Sequence, residues 1–253
     1  MTETNIPNGD EAISKLVNEN FVLLEQGINT DKLLKVLSDI IASRLGPKVS
    51  VVSLIGGAAS GKTMLSSRLA EQLTERAVAA DVISTDDFVV GDRDYRRAHF
   101  EGKDPRAKYD FGLLNNKVDA IRHNQTPGVT IGVPSYDQHS GKAIEVGEDN
   151  FTHQVGPVDV LIVEGDFLEV KDPDVAIFLD VASDTRLKNR IGRDLLHRNV
   201  SDEKNVIANF ALRQETQHIP YTVPAADSAG ILICGDISNN QWQYDVYLRN
   251  PEN

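Results

Sequence analysis

The stretch GGAASGKT, residues 56–63, decides the fold of this chain, because it matches the pattern G-x4-G-K-[ST] at every fixed position. Glycine and other small residues let backbone N–H groups turn inward around phosphate oxygens, and the N-terminus of a following helix adds its positive dipole. The residues expected to hold the phosphates are Gly56, Gly57, Ala58, Ala59, Ser60, Gly61, Lys62 and Thr63.

The chain on either side of this loop supports the same reading. An apolar run, Val49–Ile55, precedes it, and a helical stripe of leucines follows it at Leu65, Leu69 and Leu73. A strand, a loop and a helix are therefore predicted in that order. We expect Lys62 to reach the β- and γ-phosphates of ATP and the hydroxyl of Thr63 to bind Mg²⁺.

Short apolar runs without alternation recur along the chain and predict strands buried on both faces of a parallel sheet. They are Val49–Ile55, Ala79–Ile83, Val158–Val163, Val175–Leu179 and Ala229–Ile233. Helical patterns lie between several of them, at Thr63–Arg76, Leu113–His123 and Asp184–Arg198. This alternation predicts an α/β, doubly wound, mostly parallel five-stranded sheet with helices on both faces, the architecture of P-loop NTPases.

Three further segments complete the predicted organisation. Residues 11–45 show the period of two helices with a stop at Gly27, so residues 1–47 are predicted to be an N-terminal helical extension of a domain at 48–253. Within that domain, residues 87–157 form a long insert with a predicted β-hairpin, Val129–Val133 and Ala143–Val146 around a polar turn. Near the end of the chain, Tyr244–Leu248 is predicted to add an edge strand.

Composition limits the partners and the compartment. The net charge is −12, so a polyanion would be repelled and nucleic acid is not an expected partner. No run approaches the roughly 18 apolar residues of a membrane span. The N-terminus lacks the pattern of a signal peptide, and the single cysteine, Cys234, excludes an intrachain disulfide. A cytoplasmic location without membrane contact is therefore expected.

Acidic residues follow two of the predicted strands, where ligands collect in open α/β sheets. Asp86 and Asp87 come after the second strand, and Glu164 comes after the third. A carboxylate beside the γ-phosphate can hold Mg²⁺ or accept the proton of an attacking hydroxyl. We expect both roles for Asp86 and a metal-binding role for Glu164. The competing interpretation is that Asp86 and Asp87 only cap a turn.

Arginines concentrate in the predicted helix Asp184–Arg198, although the protein as a whole is acidic. Guanidinium groups that close over a transferring phosphoryl group stabilise the charge on its oxygens. Residues 184–200 are therefore predicted to form an arginine-rich lid, with Arg190 and Arg193 as catalytic residues. The alternative is a solvated helix face whose arginines pair with Asp184 and Asp194.

With these pieces placed, the chain resembles the uridine kinase and phosphoribulokinase family of P-loop kinases over residues 49–235, with uridine-cytidine kinases as the closest subgroup. The motifs that carry the resemblance are GGAASGKT (56–63), TDDF (85–88), KYDF (108–111), PSYD (134–137), IVEGDF (162–167) and DTRLKNRIGRDLLHRN (184–199). The resemblance implies that Asp86 is the catalytic base and binds Mg²⁺ with Thr63 and Glu164. It implies acceptor contacts from the insert and the lid, at Tyr109, Asp110, Tyr136, His139 and Arg198.

The resemblance implies a kinase that transfers the γ-phosphoryl group of ATP to a small metabolite, either a uridine- or cytidine-like nucleoside or a sugar. Three positions, Val89, Val200 and Asn209, depart from the pattern of nucleoside kinases, so the acceptor stays open. A sugar phosphate or a pantothenate-like acceptor is the alternative within this class. Outside it, the chain could be a nucleotide-dependent regulatory ATPase that uses residues 1–47 to engage a partner. A homo-oligomer is compatible with either reading.

Overall fold

The computed structural model describes residues 10–124, 126–137, 140–144, 152–197 and 202–251. The helices are α1 (Asp10–Asn20), α2 (Thr30–Ala42), α3 (Lys62–Glu75), α4 (Arg93–Phe100), α5 (Phe111–His123), α6 (Ser183–His197) and α7 (Glu203–Arg213). The strands are β1 (Phe21–Ile28), β2 (Ser50–Gly56), β3 (Ala80–Ser84), β4 (Ile131–Val133), β5 (Ser135–Asp137), β6 (Lys142–Ile144), β7 (His153–Val155), β8 (Val160–Gly165), β9 (Val175–Val181), β10 (Ile231–Ser238) and β11 (Gln241–Arg249).

The chain folds into two compact units. The first comprises the described parts of Met1–Leu33, Ile55–Lys62 and Ile177–Asn253, and the second comprises those of Leu34–Leu54 and Thr63–Ala176. All five predicted strands are present, as β2, β3, β8, β9 and β10, and helices α3, α5 and α6 follow the predicted ranges. The predicted α/β class with mostly parallel strands is therefore confirmed, but the predicted number of five strands was too low, because β11 and β1 extend the sheet beyond β10.

In the second unit, strands lie in the order β2-β8-β3, and β3 runs parallel to β8 with Ser84 opposite Glu164. Most of the residues of β2 and β8 are fully buried, which explains why their sequences are continuous apolar runs. Helix α5 packs on this sheet through Leu114, Val118 and Ile121, which recur at helical spacing. The carboxyl ends of β3 and β8 therefore lie side by side.

The insert is also built on the core of the second unit. Val133 and Val155 pack in the same apolar cluster as Ile83 and Val163. The predicted hairpin partners were wrong in part, because β4 pairs with β7, whereas β5 pairs with β6. Pro134 separates β4 from β5 and has no N–H to donate, so the chain changes partner there. Val146, the predicted end of the hairpin, lies outside the described residues.

In the first unit, β9 and β10 are parallel, while β10–β11 and β11–β1 are antiparallel pairs, giving the order β1-β11-β10-β9. The predicted edge strand Tyr244–Leu248 lies within β11. The N-terminal helical hairpin was wrong in its first half: α1 ends at Asn20, and the chain continues as strand β1. The paired edge of β11 satisfies the backbone N–H and C=O groups of Phe21–Ile28, which outweighs the helical period of this short segment.

Among the described residues, no helix combines the length and the apolar character needed to cross a membrane. The domain boundary at residue 47, the insert at 87–157 and the lid at 184–200 stay predictions.

Candidate active site

The phosphate loop has the backbone geometry that its sequence predicts. Strand β2 ends at Gly56 and helix α3 begins at Lys62. Between them, Ala59 and Gly61 adopt left-handed backbone conformations, with φ of 64° and 91°. Lys62 is 6% exposed, and its Nζ donates a hydrogen bond of 3.0 Å to the carbonyl oxygen of Gly57. The ammonium group is therefore held over its own loop.

Two buried side chains lie close to Gly57 of this loop. A Cβ atom at Gly57 would collide with a terminal nitrogen of Arg186 and would lie 2.8 Å from Cε1 of His218. Arg186 is 2% exposed, and its Nε donates a hydrogen bond of 2.8 Å to the carbonyl oxygen of Val181. Only glycine leaves room for these two cationic or polar side chains at the loop.

His218 is a residue that the sequence analysis did not identify. It is buried in a π-helix, Gln214–Thr222, which contains Pro220. A π-helical turn frequently marks a functional site, but neither an apolar period nor a motif in the sequence predicts one here. Arg186 lies in the predicted arginine-rich helix, and its burial against Gly57 distinguishes it from the other arginines there.

The predicted lid arginines lie in α6 and share one carboxylate. Nε of Arg190 is 3.3 Å from Asp194 Oδ2, and Nε of Arg193 donates a hydrogen bond of 3.1 Å to Oδ1 of the same residue. Arg190 and Asp194 are 7% and 5% exposed, so this pair does not lie on a solvated face, whereas the side chain of Arg193 is 41% exposed. In the same helix, the Asn189 side chain donates to the carbonyl oxygen of Ala59 at 3.1 Å, which ties α6 to the phosphate loop.

The predicted metal-binding residues Thr63 and Glu164 lie together in the second unit. The Thr63 hydroxyl donates a hydrogen bond of 3.2 Å to Oε1 of Glu164, which is 5% exposed at the end of β8. A hydroxyl and a carboxylate are both ligand types that Mg²⁺ takes from proteins. No group of three His, Cys, Asp or Glu residues suited to a metal occurs in the described part of the chain. Because Mg²⁺ usually keeps water and phosphate ligands, a pair of side chains still fits this ion.

Asp86 lies in the short 3₁₀ helix Thr85–Phe88 that follows β3. The amide of Asp86 donates to the hydroxyl of Ser84, which caps the turn. The side chain of Asp86 is exposed. The hydroxyl of Tyr109 donates to Oδ1 of Asp86 at 3.4 Å. The structure thus brings the predicted base and a predicted acceptor contact together.

Tyr109 is held in this place by main-chain pairing and by aromatic packing. The backbone of residues 108–110 pairs with that of 88–90, through the bonds Val90 N–H to Lys108 O and Asp110 N–H to Phe88 O. The Tyr109 ring lies 5.7 Å from that of Phe111 and 6.1 Å from that of Phe167, centroid to centroid. Nζ of Lys108 lies 5.4 Å from the Tyr109 centroid, which places a cation beside the aromatic group.

Asp87 and Asp110, unlike Asp86, use their carboxylates inside the fold. Asp87 accepts hydrogen bonds from the amides of Ser84 at 3.0 Å and Tyr136 at 2.8 Å. Burial raises the pKa of Asp87, whereas these two amides lower it. Asp110 accepts from the amide of Leu113 at 2.7 Å and caps α5. Asp87 therefore caps the turn but also binds the main chain of Tyr136, and the acceptor-binding role of Asp110 stays a prediction.

Of the three remaining predicted acceptor contacts, Tyr136 alone lies in the described part of the chain. Tyr136 is partly buried in β5, and Asp137, the next residue, is the last described residue of that segment. His139 and Arg198 lie outside the described residues. Their predicted roles stay predictions.

Known proteins are similar in sequence to most of this chain. A uridine kinase from Macrococcus caseolyticus is 28% identical over 201 residues, which cover 76% of this chain and 91% of that kinase. Uridine kinase-like protein 3 of Arabidopsis thaliana is 30% identical over 193 residues, which are 72% of this chain but only 38% of the plant protein. This chain therefore spans less than half of that relative.

Solved structures show the same fold at low sequence identity. D-glycerate 3-kinase from Cryptococcus neoformans superposes with a TM-score of 0.59 at 11% identity, covering 81% of this chain and 95% of that one. Phosphoribulokinase from Rhodobacter spheroides superposes with a TM-score of 0.56 at 13% identity, covering 81% and 82%.

The sequence profile of the phosphoribulokinase / uridine kinase family matches residues 51–235, which run from the strand before the phosphate loop to the end of the buried part of β10. That range contains the loop, the Thr63–Glu164 pair, the Asp86 turn and the arginines of α6. The chain thus belongs to the phosphoribulokinase / uridine kinase family of ATP-dependent phosphotransferases that act on hydroxyl groups.

Proposed function

We propose that this protein transfers the γ-phosphoryl group of ATP to a hydroxyl group of a nucleoside or a sugar, with Asp86 as the catalytic base. The observation that carries the proposal is the hydrogen bond between the Tyr109 hydroxyl and Asp86. An acceptor pocket needs a carboxylate near the phosphates and a side chain that contacts the acceptor. Asp86, which follows β3, and Tyr109, from the insert, are proposed for these two roles. A regulatory ATPase needs no such pocket.

In the proposed reaction, the acceptor oxygen attacks the γ-phosphorus of ATP while Asp86 takes the proton of the attacking hydroxyl. The bond between the γ-phosphorus and the β–γ bridging oxygen breaks, and ADP leaves. Asp86 is suited to this because its side chain is exposed, whereas the turn that carries it is capped by Ser84.

The remaining residues would hold the nucleotide and its ion. The loop amides and Lys62 would bind the β- and γ-phosphates. Thr63, Asp86 and Glu164 would hold Mg²⁺, which neutralises charge on the phosphates when it is bound. Arg190 and Arg193 would stabilise charge on the transferring group, and the neighbouring Arg186 gives the same chemistry against Gly57.

A second acceptor class, a sugar phosphate, is favoured by Lys108. Its ammonium group lies 5.4 Å from the centroid of the Tyr109 ring and 5.6 Å from that of the Phe167 ring, and the hydroxyl of Tyr109 contacts Asp86. A cation in this position can pair with an anionic group of the acceptor. The cytoplasmic location and a homo-oligomer stay predictions from the sequence.

The test is an ATP-consumption screen of the full chain with Mg²⁺ against nucleosides, pentoses, hexoses, their phosphates and pantothenate. We expect one class to stimulate ADP formation well above the rate without acceptor. Asp86→Asn should lower kcat for that acceptor by about a hundredfold or more, because it removes the base. Asp94→Asn, at an exposed carboxylate in α4, is the matched control. A wild-type protein that no acceptor stimulates would support the regulatory ATPase instead, and full transfer by Asp86→Asn would exclude Asp86 as the base.

A further inference from the structure

Asp87 joins two parts of the second unit that are far apart in sequence. Its Oδ2 accepts from the amide of Ser84 at the end of β3, and its Oδ1 accepts from the amide of Tyr136 in β5, which lies 49 positions away. The first bond belongs to the local cap of the 3₁₀ helix Thr85–Phe88. The second is not needed to cap that turn, and it fastens the insert to it.

The two bonds require a carboxylate. Both partners are backbone N–H donors, so each oxygen of the Asp87 side chain must accept. An asparagine has one acceptor oxygen and one NH₂ donor, so it could satisfy only one of the two amides. The other amide would then face a second donor, and a hydrogen bond to a charged group would be lost.

The same short turn thus directs consecutive carboxylates to different tasks. The side chain of Asp86 is exposed and contacts the Tyr109 hydroxyl, whereas that of Asp87 is partly buried and holds the main chain of β5. Since β5 pairs with β6 through Tyr136 opposite Ala143, fixing Tyr136 also fixes this small hairpin.

We propose that Asp87 is a positioning residue, which sets the distance between the Asp86 turn and the β5–β6 hairpin and thereby determines acceptor binding. This inference rests on the proposed function, because it takes Asp86 as the base and the insert as the acceptor site. It assigns Asp87 no contact with substrate. Its effect passes through the main chain of Tyr136.

The chain offers a matched control on β3, the strand that precedes this turn. His153 of β7 contacts Asp81 of β3 at 3.0 Å, so this pair also ties the insert to β3, but through side chains and without a bond to the main chain of β5. If Asp87 merely stabilised the insert, Asp81→Asn would have the same effect as Asp87→Asn. If Asp87 positions the acceptor site, only Asp87→Asn should change acceptor binding.

The kinetic test compares wild type, Asp87→Asn, Asp87→Glu and Asp81→Asn in steady-state assays with the acceptor identified by the screen. We expect Asp87→Asn to raise the KM for the acceptor by about tenfold, the effect of one lost charge-assisted hydrogen bond. The KM for ATP and the slow hydrolysis of ATP without acceptor should stay within about twofold. Asp87→Glu keeps two acceptor oxygens and should recover part of the acceptor affinity. An unchanged acceptor KM in Asp87→Asn, or an equal rise in Asp81→Asn, would overturn the inference.

A second measurement does not depend on activity. Hydrogen exchange of the Tyr136 amide in the full chain without ligand should be faster in Asp87→Asn than in wild type, and unchanged in Asp81→Asn. Unchanged exchange in Asp87→Asn would contradict the proposed contact even if that variant were inactive. A wild-type protein that no acceptor stimulates would instead contradict the proposed function, so the two failures are distinguishable.

Discussion

Thr63 and Glu164 lie 101 positions apart, yet the Thr63 hydroxyl donates a hydrogen bond of 3.2 Å to Oε1 of Glu164. Thr63 closes the phosphate loop, and Glu164 ends the buried strand β8. Their contact joins two motifs that sequence analysis could only place on separate elements. It also brings together the two side chains that are suited to one Mg²⁺ ion.

Glu164→Gln should therefore impair the use of Mg²⁺ in particular. An amide keeps the hydrogen bond from Thr63 but lacks the negative charge that attracts the ion. We expect kcat to fall by about a hundredfold and half-saturation to require more Mg²⁺. Titration of the initial rate with Mg²⁺ at saturating ATP measures both. Glu169→Gln changes an exposed glutamate that pairs with Arg106 at the surface, and it should leave the titration unaltered. Equal Mg²⁺ titrations of Glu164→Gln and wild type would argue against a metal-binding role.

Gly57→Ala should weaken ATP binding, because its new methyl group would meet Arg186 and His218. Arg186 is buried and bonded to the carbonyl oxygen of Val181, so it has little freedom to move away. We expect the Kd for ATP·Mg²⁺, measured by calorimetry, to rise by about tenfold or more. The control is Gly192→Ala in α6, where a Cβ would meet nothing within 4 Å. If Gly57→Ala kept the wild-type affinity, the present position of Arg186 against Gly57 would not be required for ATP binding.

The unfolding free energy should depend on pH through His153. The hydrogen bond to Asp81 raises the pKa of His153 above its ordinary value of 6.5, and the charges of Asp81 and Asp87 act in the same direction, whereas burial opposes them. The stabilisation is fully present below pH 6.5 and is lost as the pH rises through the higher pKa of the folded state. Its size should stay below about 1 kcal/mol, because 35% and 28% of the two side chains remain exposed to screening water.

Urea unfolding at a series of pH values from 6 to 9 measures this dependence. Asp81→Asn removes the partner charge, so it should remove most of the decrease in unfolding free energy over that range. The decrease would have another origin if it persisted unchanged in Asp81→Asn and in His153→Gln.

The sequence predicted those elements whose structure is determined by residues that are close together in the chain. Val160–Gly165 is buried along its whole length, so its residues had to form an apolar run, and the glycine pattern of the phosphate loop follows from its need to bend around anions. Strand β1 was missed because its cause is distant: Phe21 pairs with Arg249 at the other end of the chain. A four-residue apolar cluster at Phe21–Leu24 suits a helix or a strand equally well.

The same distinction applies to the residues of the candidate site. Asp86 and Glu164 could be predicted because each follows an apolar strand, where ligands collect. His218 and the second role of Asp87 could not, since they depend on contacts with Gly57 and with Tyr136 that no local pattern encodes. Arg186 shows the intermediate case, because the helix was predicted but its one fully buried arginine was not distinguished.

Lys108 should discriminate between charged and neutral acceptors. Its ammonium group lies over the rings of Tyr109 and Phe167, and Tyr109 contacts the proposed base. If the acceptor is a sugar phosphate, Lys108→Gln should raise its KM by about tenfold, because a charge-assisted contact is lost. Neutral nucleosides or sugars should keep their KM within about twofold.

Lys103→Gln is the matched control for this experiment, because Lys103 is an exposed lysine five residues earlier in the same segment. Assays of both variants at low and high salt would add a second criterion, since contacts between charges weaken as salt screens them. A sugar phosphate KM that rises with salt in wild type and in Lys103→Gln, but not in Lys108→Gln, would place the acceptor's charge beside Lys108. Equal effects of Lys108→Gln on neutral and charged acceptors would show that this lysine only packs on the aromatic rings, and the nucleoside or unphosphorylated sugar would then be the better acceptor.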